Sequence, residues 1–337
     1  MVRRWMVPGF ALLVLAGCSS APPPTSSTDQ ASMIRVAFKK DQTYRYHYRS
    51  SLDATVTMGQ GPALPIKADS SADATWDVAS VDASGNTTVD LTLANLKTSF
   101  TGSLVPGSTT TTTTTTTTTQ HVQLKVAPTG EILSGGGPSG PPSALVLGQG
   151  LGPPGTDQFL AVLPGRAVKP GDTWTKTFTR PNPFGQGSVT YTTENRFLRY
   201  ENLKSGRAAV VQTTATLPLD VSFDLQKVMS GPGGTPSPPP FPIGAPIGGQ
   251  VRIQGTSSTD STTWFDVKTD QVERMTTVDN TDQTTTFVGI TGPPSPPIPQ
   301  GLPSPFPSVP PGLFGPQGLF GPQHFTGRQT LELDLVS

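Results

Sequence analysis

The chain has little of what metal centres and most nucleophilic enzymes are built from. Its 337 residues contain one cysteine, Cys18, and three histidines, His47, His121 and His324. A single cysteine excludes an intramolecular disulfide, and the histidines are scattered without the spacing of metal ligands. We therefore predict no metal, no cofactor and no Ser-His-Asp or Cys-His catalytic system.

Charge is also scarce. Charged residues make up 14% of the chain, and 23 basic residues balance 23 acidic ones. No basic patch stands out in the sequence, so we predict no nucleic-acid partner. A pair of carboxylates is the remaining route to hydrolysis, with Glu194, Glu201 and Asp266 as candidates. Because exposed carboxylates are common on strands, we predict that the protein is not an enzyme.

The N-terminus, unlike the rest of the chain, contains a pattern typical of targeting signals. Arg3 and Arg4 precede an apolar stretch over residues 7–15, which is too short to span a bilayer. It ends in Leu15-Ala16-Gly17-Cys18, which resembles the lipobox of bacterial lipoproteins. The resemblance implies a signal peptide over residues 1–17, cleavage before Cys18, and a diacylglycerol on the Cys18 thiol, often with an N-acyl chain such as palmitate. An ordinary secretory signal with a chance cysteine is the alternative.

The resemblance also implies a location for the protein. Residues 18–33 are rich in Ser, Ala, Pro and Thr and are typical of a flexible tether. Two or three acyl chains would make the anchor effectively permanent. We expect the protein on the cell membrane or outer membrane, facing the periplasm or the exterior. The membrane is then its first partner.

Apolar and polar residues alternate with period two along most of the remaining chain, which predicts strands. Residues 43–50 are typical, with Tyr44, Tyr46 and Tyr48 on one face. The other predicted strands cover residues 34–38, 74–81, 87–93, 121–126, 131–133, 173–178, 189–200, 207–217, 221–225, 250–256, 262–267, 272–278 and 330–336. Residues 156–163 are the one helical candidate. The fold class is therefore all-β, an antiparallel curved sheet or half-barrel in an N-terminal lobe (34–155) and a C-terminal lobe (156–337).

Three turn cues recur in the same order in both lobes. Residues 39–44 resemble 169–174, residues 84–89 resemble 205–210, and residues 129–132 resemble 269–272. The lobes are either duplicated units or two β-meanders that share hairpin signals.

Low-complexity segments interrupt the strands: residues 109–119 (all Thr), 135–155, 231–249 and 292–322. Such segments cannot offset chain entropy by burying a core, so we expect long loops. For the threonine run, an expanded loop, a strand leading into Gln120 and an O-glycosylated stretch stay open. We expect that residues 109–119 or 292–322 can be shortened with little loss of stability. Residues 279–282, Asp-Asn-Thr-Asp, are interpreted as a turn rather than a calcium loop.

Two motifs resemble an uncharacterised family of secreted bacterial β-rich lipoproteins. They are the Phe-Lys-Lys-Asp-Gln-Thr-Tyr-Arg-Tyr of residues 38–46, with Asp41 where the family has glycine, and the Lys-Pro-Gly-Asp-Thr-Trp of residues 169–174. The resemblance implies a fold and no activity. A looser similarity is to half-barrel carriers of the lipoprotein-localisation type, which hold acyl chains on a concave sheet face.

Two functions follow from these observations. In the first, an apolar sheet face that includes Trp76, Trp174 and Trp264 holds a lipid or other hydrophobic ligand. In the second, the sheet is a structural or adhesive scaffold that presents Pro- and Thr-rich loops to the cell envelope. A hollow apolar interior would favour the carrier, and a filled core would favour the scaffold. Core packing is the simpler role for the tryptophans.

Overall fold

The computed structural model describes residues 31–102, 110–115, 119–136, 160–181, 188–224, 248–291 and 322–336. Within these residues the protein is all-β, as predicted, and contains no helix. The strands are β1 (Ser32–Met33), β2 (Thr43–Met58), β3 (Ala63–Val81), β4 (Thr87–Gly102), β5 (Thr110–Thr115), β6 (Gln120–Val126), β7 (Ile132–Gly136), β8 (Ala167–Val168), β9 (Thr173–Pro181), β10 (Ser188–Asn202), β11 (Arg207–Asp224), β12 (Gly248–Asp266), β13 (Val272–Thr291) and β14 (Gln323–Leu335).

Twelve of these strands form one antiparallel sheet. Eleven lie in the order β7-β6-β4-β3-β2-β14-β13-β12-β11-β10-β9, and β5 pairs with β4 beside β6. Strands β1 and β8 form a separate two-stranded ladder. The last strand, β14, lies between β2 and β13 and joins the strands that precede it into one surface.

The sheet curls until its two edges meet, although it does not close into a barrel. Eleven flat strands at about 4.8 Å spacing would hold β7 and β9 nearly 50 Å apart. Instead, Lys176 on β9 forms an ion pair at 2.9 Å with Glu131, which directly precedes β7. The concave inner face therefore surrounds the interior, and the outer face is turned to solvent.

The two ends of the curled sheet differ, and we call them the base and the loop end. The base is the end formed by residues 31–42, 82–86, 127–131, 160–172, 203–206 and 267–271. The loop end is the opposite one, where the strands flanking residues 59–62, 103–109, 182–187, 225–247 and 292–321 begin and end.

Two extended segments cross the base and hold its turns together. In residues 34–38, the Val36 amide donates to the Pro128 carbonyl (2.8 Å) and the Ala37 amide donates to the Asp270 carbonyl (2.9 Å). In residues 160–163, the Leu163 amide donates to the Thr129 carbonyl at 2.7 Å. These bonds link turns from both halves of the sheet.

A large hydrophobic core occupies the interior above these segments, and a smaller second cluster is formed by Val162, Phe178, Tyr191 and Leu217. Tyr46 and Trp76 are each 1% exposed, and their rings lie 5.2 Å apart. Phe197 and Phe265, from the other half of the sheet, belong to the same cluster. Burial raises the pKa of Tyr46, whose hydroxyl donates to the Val272 carbonyl at 3.1 Å. The alternation that predicted Tyr44, Tyr46 and Tyr48 on one face is confirmed.

Two five-stranded units repeat within the sheet. The first unit is β2, β3, β4, β6 and β7, and the second unit is β9 to β13. The turns before β2 and β9 are alike: the fourth residue's amide donates to the first residue's carbonyl, at 3.2 Å in residues 39–42 and 3.0 Å in residues 169–172. The third residue of each, Asp41 (φ 62°) and Gly171 (φ 94°), is left-handed.

A second pair of turns matches equally well. Residues 127–131 and 266–271 each place a left-handed residue, Gly130 (φ 81°) or Asp270 (φ 58°), two positions before a buried one, Ile132 or Val272. A register shift precedes both turns. The recurrence of turn, backbone conformation and bulge favours duplicated units over two unrelated meanders.

The hairpin cue needs a correction of one residue. Asp41 donates to the carbonyl of Val78 and Gly171 to that of Phe197, so Val78 and Phe197 are equivalent. Their partners across the next strand are Val89 and Val211. The predicted match of Val89 to Val210 is therefore wrong: Val89 follows Val78 by 11 positions, whereas Val211 follows Phe197 by 14, so the second hairpin is longer by three residues.

Several local predictions are corrected by the structure. Residues 160–163 of the proposed helix form neither helix nor strand, and residues 156–159 lie outside the described residues. Residues 34–38 alternate in burial as expected but join no ladder. Residues 279–282 lie inside β13 rather than in a turn. Thr110–Thr115 forms β5, so the strand interpretation holds for this part of the threonine run.

Candidate functional site

The three tryptophans do not line one face. Trp76 lies in the core, and Trp174 on the inner face donates from Nε1 to the Val162 carbonyl at 2.6 Å. Trp264 pairs with Val210 and Arg274 on the outer face, since its neighbour Phe265 is the inward residue. Its Nε1 donates to Glu201 at 3.3 Å, and the Arg274 guanidinium lies 5.2 Å from its ring. The proposed tryptophan-lined ligand face is therefore wrong for Trp264.

A polar network occupies the inner face of the second unit, where hydrophobic side chains would be expected. Asn195 is 1% exposed and accepts a hydrogen bond from the Thr213 hydroxyl at 2.8 Å. Its amide donates to the Thr193 hydroxyl at 3.2 Å. On the neighbouring strands, Ser261 and Thr277 bond through their hydroxyls at 2.9 Å. These groups satisfy one another, as buried polar groups must.

Asp279 is the carboxylate of this network. It is 4% exposed, faces inward from β13, and accepts a hydrogen bond from the Thr259 hydroxyl. Burial raises the pKa of Asp279 to about 6, and the Thr259 bond opposes that rise. Its neighbour on β14 is Gln329, which has no charge. A carboxyl of this kind titrates within the range where proteins work, but its hydrogen-bond partner is a hydroxyl rather than a second acid or base.

The three carboxylates singled out from the sequence do not form a catalytic pair. Glu194 is exposed in the middle of β10. Glu201 forms an ion pair with Arg199 at 2.9 Å. Asp266 is 3% exposed and caps the next turn, accepting the amides of Lys268 (2.7 Å) and Thr269 (2.6 Å). Glu201 and Asp266 flank Ala208 on the outer face, and each already holds hydrogen-bond donors. The absence of catalysis stays a prediction.

The histidines are separate and lie on the outer face. His47 contacts Asp73 at 3.0 Å, His324 contacts Asp282 at 2.8 Å, and the His121 ring lies 3.0 Å from the Thr92 hydroxyl. The His47 side chain is exposed between the buried Tyr46 and Tyr48. Among the described residues, no cluster of three or more His, Cys, Asp or Glu could hold a metal ion.

Two shallow grooves lie on the outer face. One, of about 480 Å³, is lined among others by Arg49, Asp69, Lys97 and Glu332. The other, of about 500 Å³, is lined among others by Asp53, Asn280, Asp282 and Arg328. Both are open to solvent, unlike the enclosed pockets that typically hold small ligands.

The lipidation site lies outside the described residues, as do the signal peptide (residues 1–17) and most of the tether. Cys18 is therefore a prediction from the lipobox alone. In the part of the chain that the structure describes, no helix is long and apolar enough to cross a bilayer.

The buried polar network was not predicted from the sequence. A signal was present: on β12, Ser257, Thr259 and Ser261 have the same parity as Val251 and Phe265. Parity alone would have placed these hydroxyls inside the sheet.

Comparison with known proteins adds no family. No protein-family model matches the chain, and no curated protein is significantly similar to it.

Proposed function

We propose that the protein is a lipid-anchored β-scaffold of the bacterial cell envelope, which carries its inserted segments on the side away from the membrane. One observation carries the proposal: residue 31, where the tether joins, lies at the base, whereas residues 103–109, 182–187, 225–247 and 292–321 join strands at the loop end. A Cys18 lipid anchor would therefore turn these four inserts away from the bilayer, whereas residues 137–159 lead from the end of β7 back to residue 160 in the base.

The filled interior supports a scaffold over a carrier. A carrier needs empty apolar volume, whereas Tyr46, Trp76, Phe197 and Phe265 pack against one another and are almost fully buried. Residues 34–38 and 160–163 close the base of the same interior. The packed core would then make the sheet a rigid support from which the inserted segments extend.

The anchor is tested with Cys18→Ala. We expect the variant to incorporate no radiolabelled palmitate and to remain an uncleaved precursor, because the thiol is the acceptor. Equal labelling of wild type and variant would contradict lipidation.

The scaffold role is tested by deleting residues 292–321 from the full-length protein and joining β13 to β14 with a short Gly/Ser linker. We expect an unchanged thermal midpoint but weaker co-sedimentation with isolated cell walls, since the inserts would make the contacts. Replacing these residues by a Gly/Ser stretch of equal length is the matched control for length. Unchanged co-sedimentation after both replacements would contradict the display role.

A hydrophobic carrier remains the second candidate because of the inner face near the loop end. Apolar side chains there are only half-buried: Leu52, Val56, Ile66, Phe100 and Phe325. Native mass spectrometry of the purified protein distinguishes the two functions. A stoichiometric, non-covalent lipid would favour the carrier, and its absence would favour the scaffold.

A further inference from the structure

The base of the sheet carries a group of exposed lysines in its turns. Five of them have no ion pair among the described residues: Lys39, Lys40, Lys169, Lys204 and Lys268. They come from four different connections along the rim. The bonds that residues 34–38 and 160–163 make with the base turns hold much of that rim together.

The acidic residues of the same turns are mostly neutralised. Asp82, Glu131, Asp172 and Asp270 each form an ion pair with a basic residue. Asp41 is the exposed turn carboxylate without one among the described residues. The turns of the base therefore present more free positive than free negative charge, although the whole chain has no net charge.

Exposed apolar side chains are concentrated at the same end. Of the six most exposed large hydrophobic residues in the part of the chain that the structure describes, five lie in or beside the base turns and β1: Met33, Val81, Leu133, Val267 and Val336. Val288, near the loop end, is the sixth. Basic residues interspersed with apolar ones are typical of surfaces that rest in the headgroup region of a bilayer.

We propose that the base is a membrane-docking surface that binds anionic lipid headgroups. The sheet would then contact the bilayer directly and not only through its tether. The inference rests on the proposed lipid anchor and adds an orientation to it. The tether joins at Ala31, beside the same rim, and a short tether keeps the base at high local concentration near the headgroups. Lysine turns and apolar tips would then act together with the acyl chains.

The experiment uses the full-length lipidated protein in vesicles of phosphatidylcholine with or without phosphatidylglycerol. A cysteine is introduced at Ser84 in a base turn, or at Gln60 in the turn between β2 and β3 at the loop end, and carries a fluorophore. The lipids carry a nitroxide quencher. We expect quenching at position 84 only, stronger with phosphatidylglycerol and reversed by high salt, because screening weakens exposed charge interactions.

A matched pair of triple variants isolates the lysines. One replaces Lys39, Lys204 and Lys268 by Gln at the base, and the other replaces Lys67, Lys97 and Arg328 by Gln on the outer face. Both remove three positive charges. Each lysine near an anionic surface contributes about fivefold in affinity, so the base variant should lower the docked-to-undocked ratio roughly 100-fold. The outer-face variant should leave it unchanged.

Two failures are distinguishable. If the wild-type protein does not co-float with the vesicles in a density gradient, the lipid-anchor proposal is wrong, and the docking proposal, which rests on it, is also overturned. If it floats but position 84 is unquenched, or is quenched equally with and without phosphatidylglycerol, the docking proposal alone is overturned.

Discussion

The two five-stranded units share their turns but differ in what they bury. At equivalent inner positions, the first unit places Tyr44, Trp76, Leu91 and Val122 side by side across four strands. The second unit places Trp174, Asn195, Thr213 and Ser261 in the same row. The same backbone is therefore stabilised in one unit by apolar packing and in the other by hydrogen bonds between buried polar groups.

The difference shows which constraints a sheet imposes. The turns need residues that tolerate positive φ, and both units meet that need with Gly or Asp. The inner face needs side chains that are satisfied when buried, and apolar contacts or mutual hydrogen bonds meet that need, although the buried Thr263 hydroxyl of the second unit has no hydrogen-bond partner among the described residues. The two solutions respond differently to mutation.

The largest effect is expected from Trp76→Ala. The ring packs against Tyr46 and Phe38 and is 1% exposed, so its loss should lower the free energy of unfolding by about 3–5 kcal/mol. The equivalent change, Asn195→Ala, should cost about 1–3 kcal/mol, because it leaves the Thr213 hydroxyl without its acceptor. Urea denaturation of both variants measures the comparison. Equal losses would mean that the polar row stabilises the sheet as much as the aromatic row does.

The strands were predictable where apolar residues mark the inner face and unpredictable where hydroxyls do. The apolar alternation predicts two strands over residues 250–256 and 262–267, yet most of both ranges belongs to one strand, β12. The interval carries Ser257, Thr259 and Ser261 on the inner face, so the apolar alternation stops while the backbone continues. The polar network was missed for the same reason.

The next effect concerns the left-handed glycines of the two units. A Cβ on Gly130 would lie 2.7 Å from the Ala161 carbonyl oxygen, whereas a Cβ on Gly171 would meet nothing within 4 Å. Gly130→Ala should therefore cost about 2–4 kcal/mol, combining backbone strain with a clash, and Gly171→Ala about 1 kcal/mol from strain alone. Thermal unfolding monitored by circular dichroism compares them. A Gly171 variant as unstable as the Gly130 variant would contradict the steric argument.

Asp279 in the second unit should make the free energy of unfolding depend on pH. Its pKa in the folded protein is raised to about 6, so the native state holds a proton that the unfolded state releases near pH 4. Stability from this group is then complete below about pH 4, falls as pH rises towards 6, and is constant above that. The fall amounts to roughly 2–3 kcal/mol. Asp279→Asn should remove it, as the difference between wild-type and variant urea midpoints across pH 4–7 would reveal. A constant difference would show that Asp279 does not titrate in this range.

The smallest effect tests the turn itself. Asp41 occupies the left-handed position that Gly171 fills in the second unit, with φ 62° against 94°. Asp41→Gly should stabilise the protein by up to about 1 kcal/mol, since glycine adopts this conformation without strain. Differential scanning calorimetry should show a slightly higher midpoint. A lower midpoint would mean that the Asp41 side chain stabilises this turn by more than its strain costs.

The sequence pattern does not predict which distant strands pair with one another. Periodicity identified the β14 residues Leu331 and Leu333 as one face, and both are buried. It could not tell that β14 pairs with β2, because alternation specifies a face and not a neighbour. The same limit applied to the base, where residues distant in sequence gather only once the sheet has curled.

The position of β14 also governs when the sheet can form. Its Gln329 bonds to Ser50 across a sequence separation of 279 residues, so the two units cannot be joined until the last strand is available. Such a high contact order predicts slow folding. A chain exported from its N-terminus would meanwhile expose the long edge of β2, a surface prone to pairing with other chains. Under the proposed lipid-anchored location, chaperone protection during export, rather than native stability, would limit how much of the protein reaches the envelope.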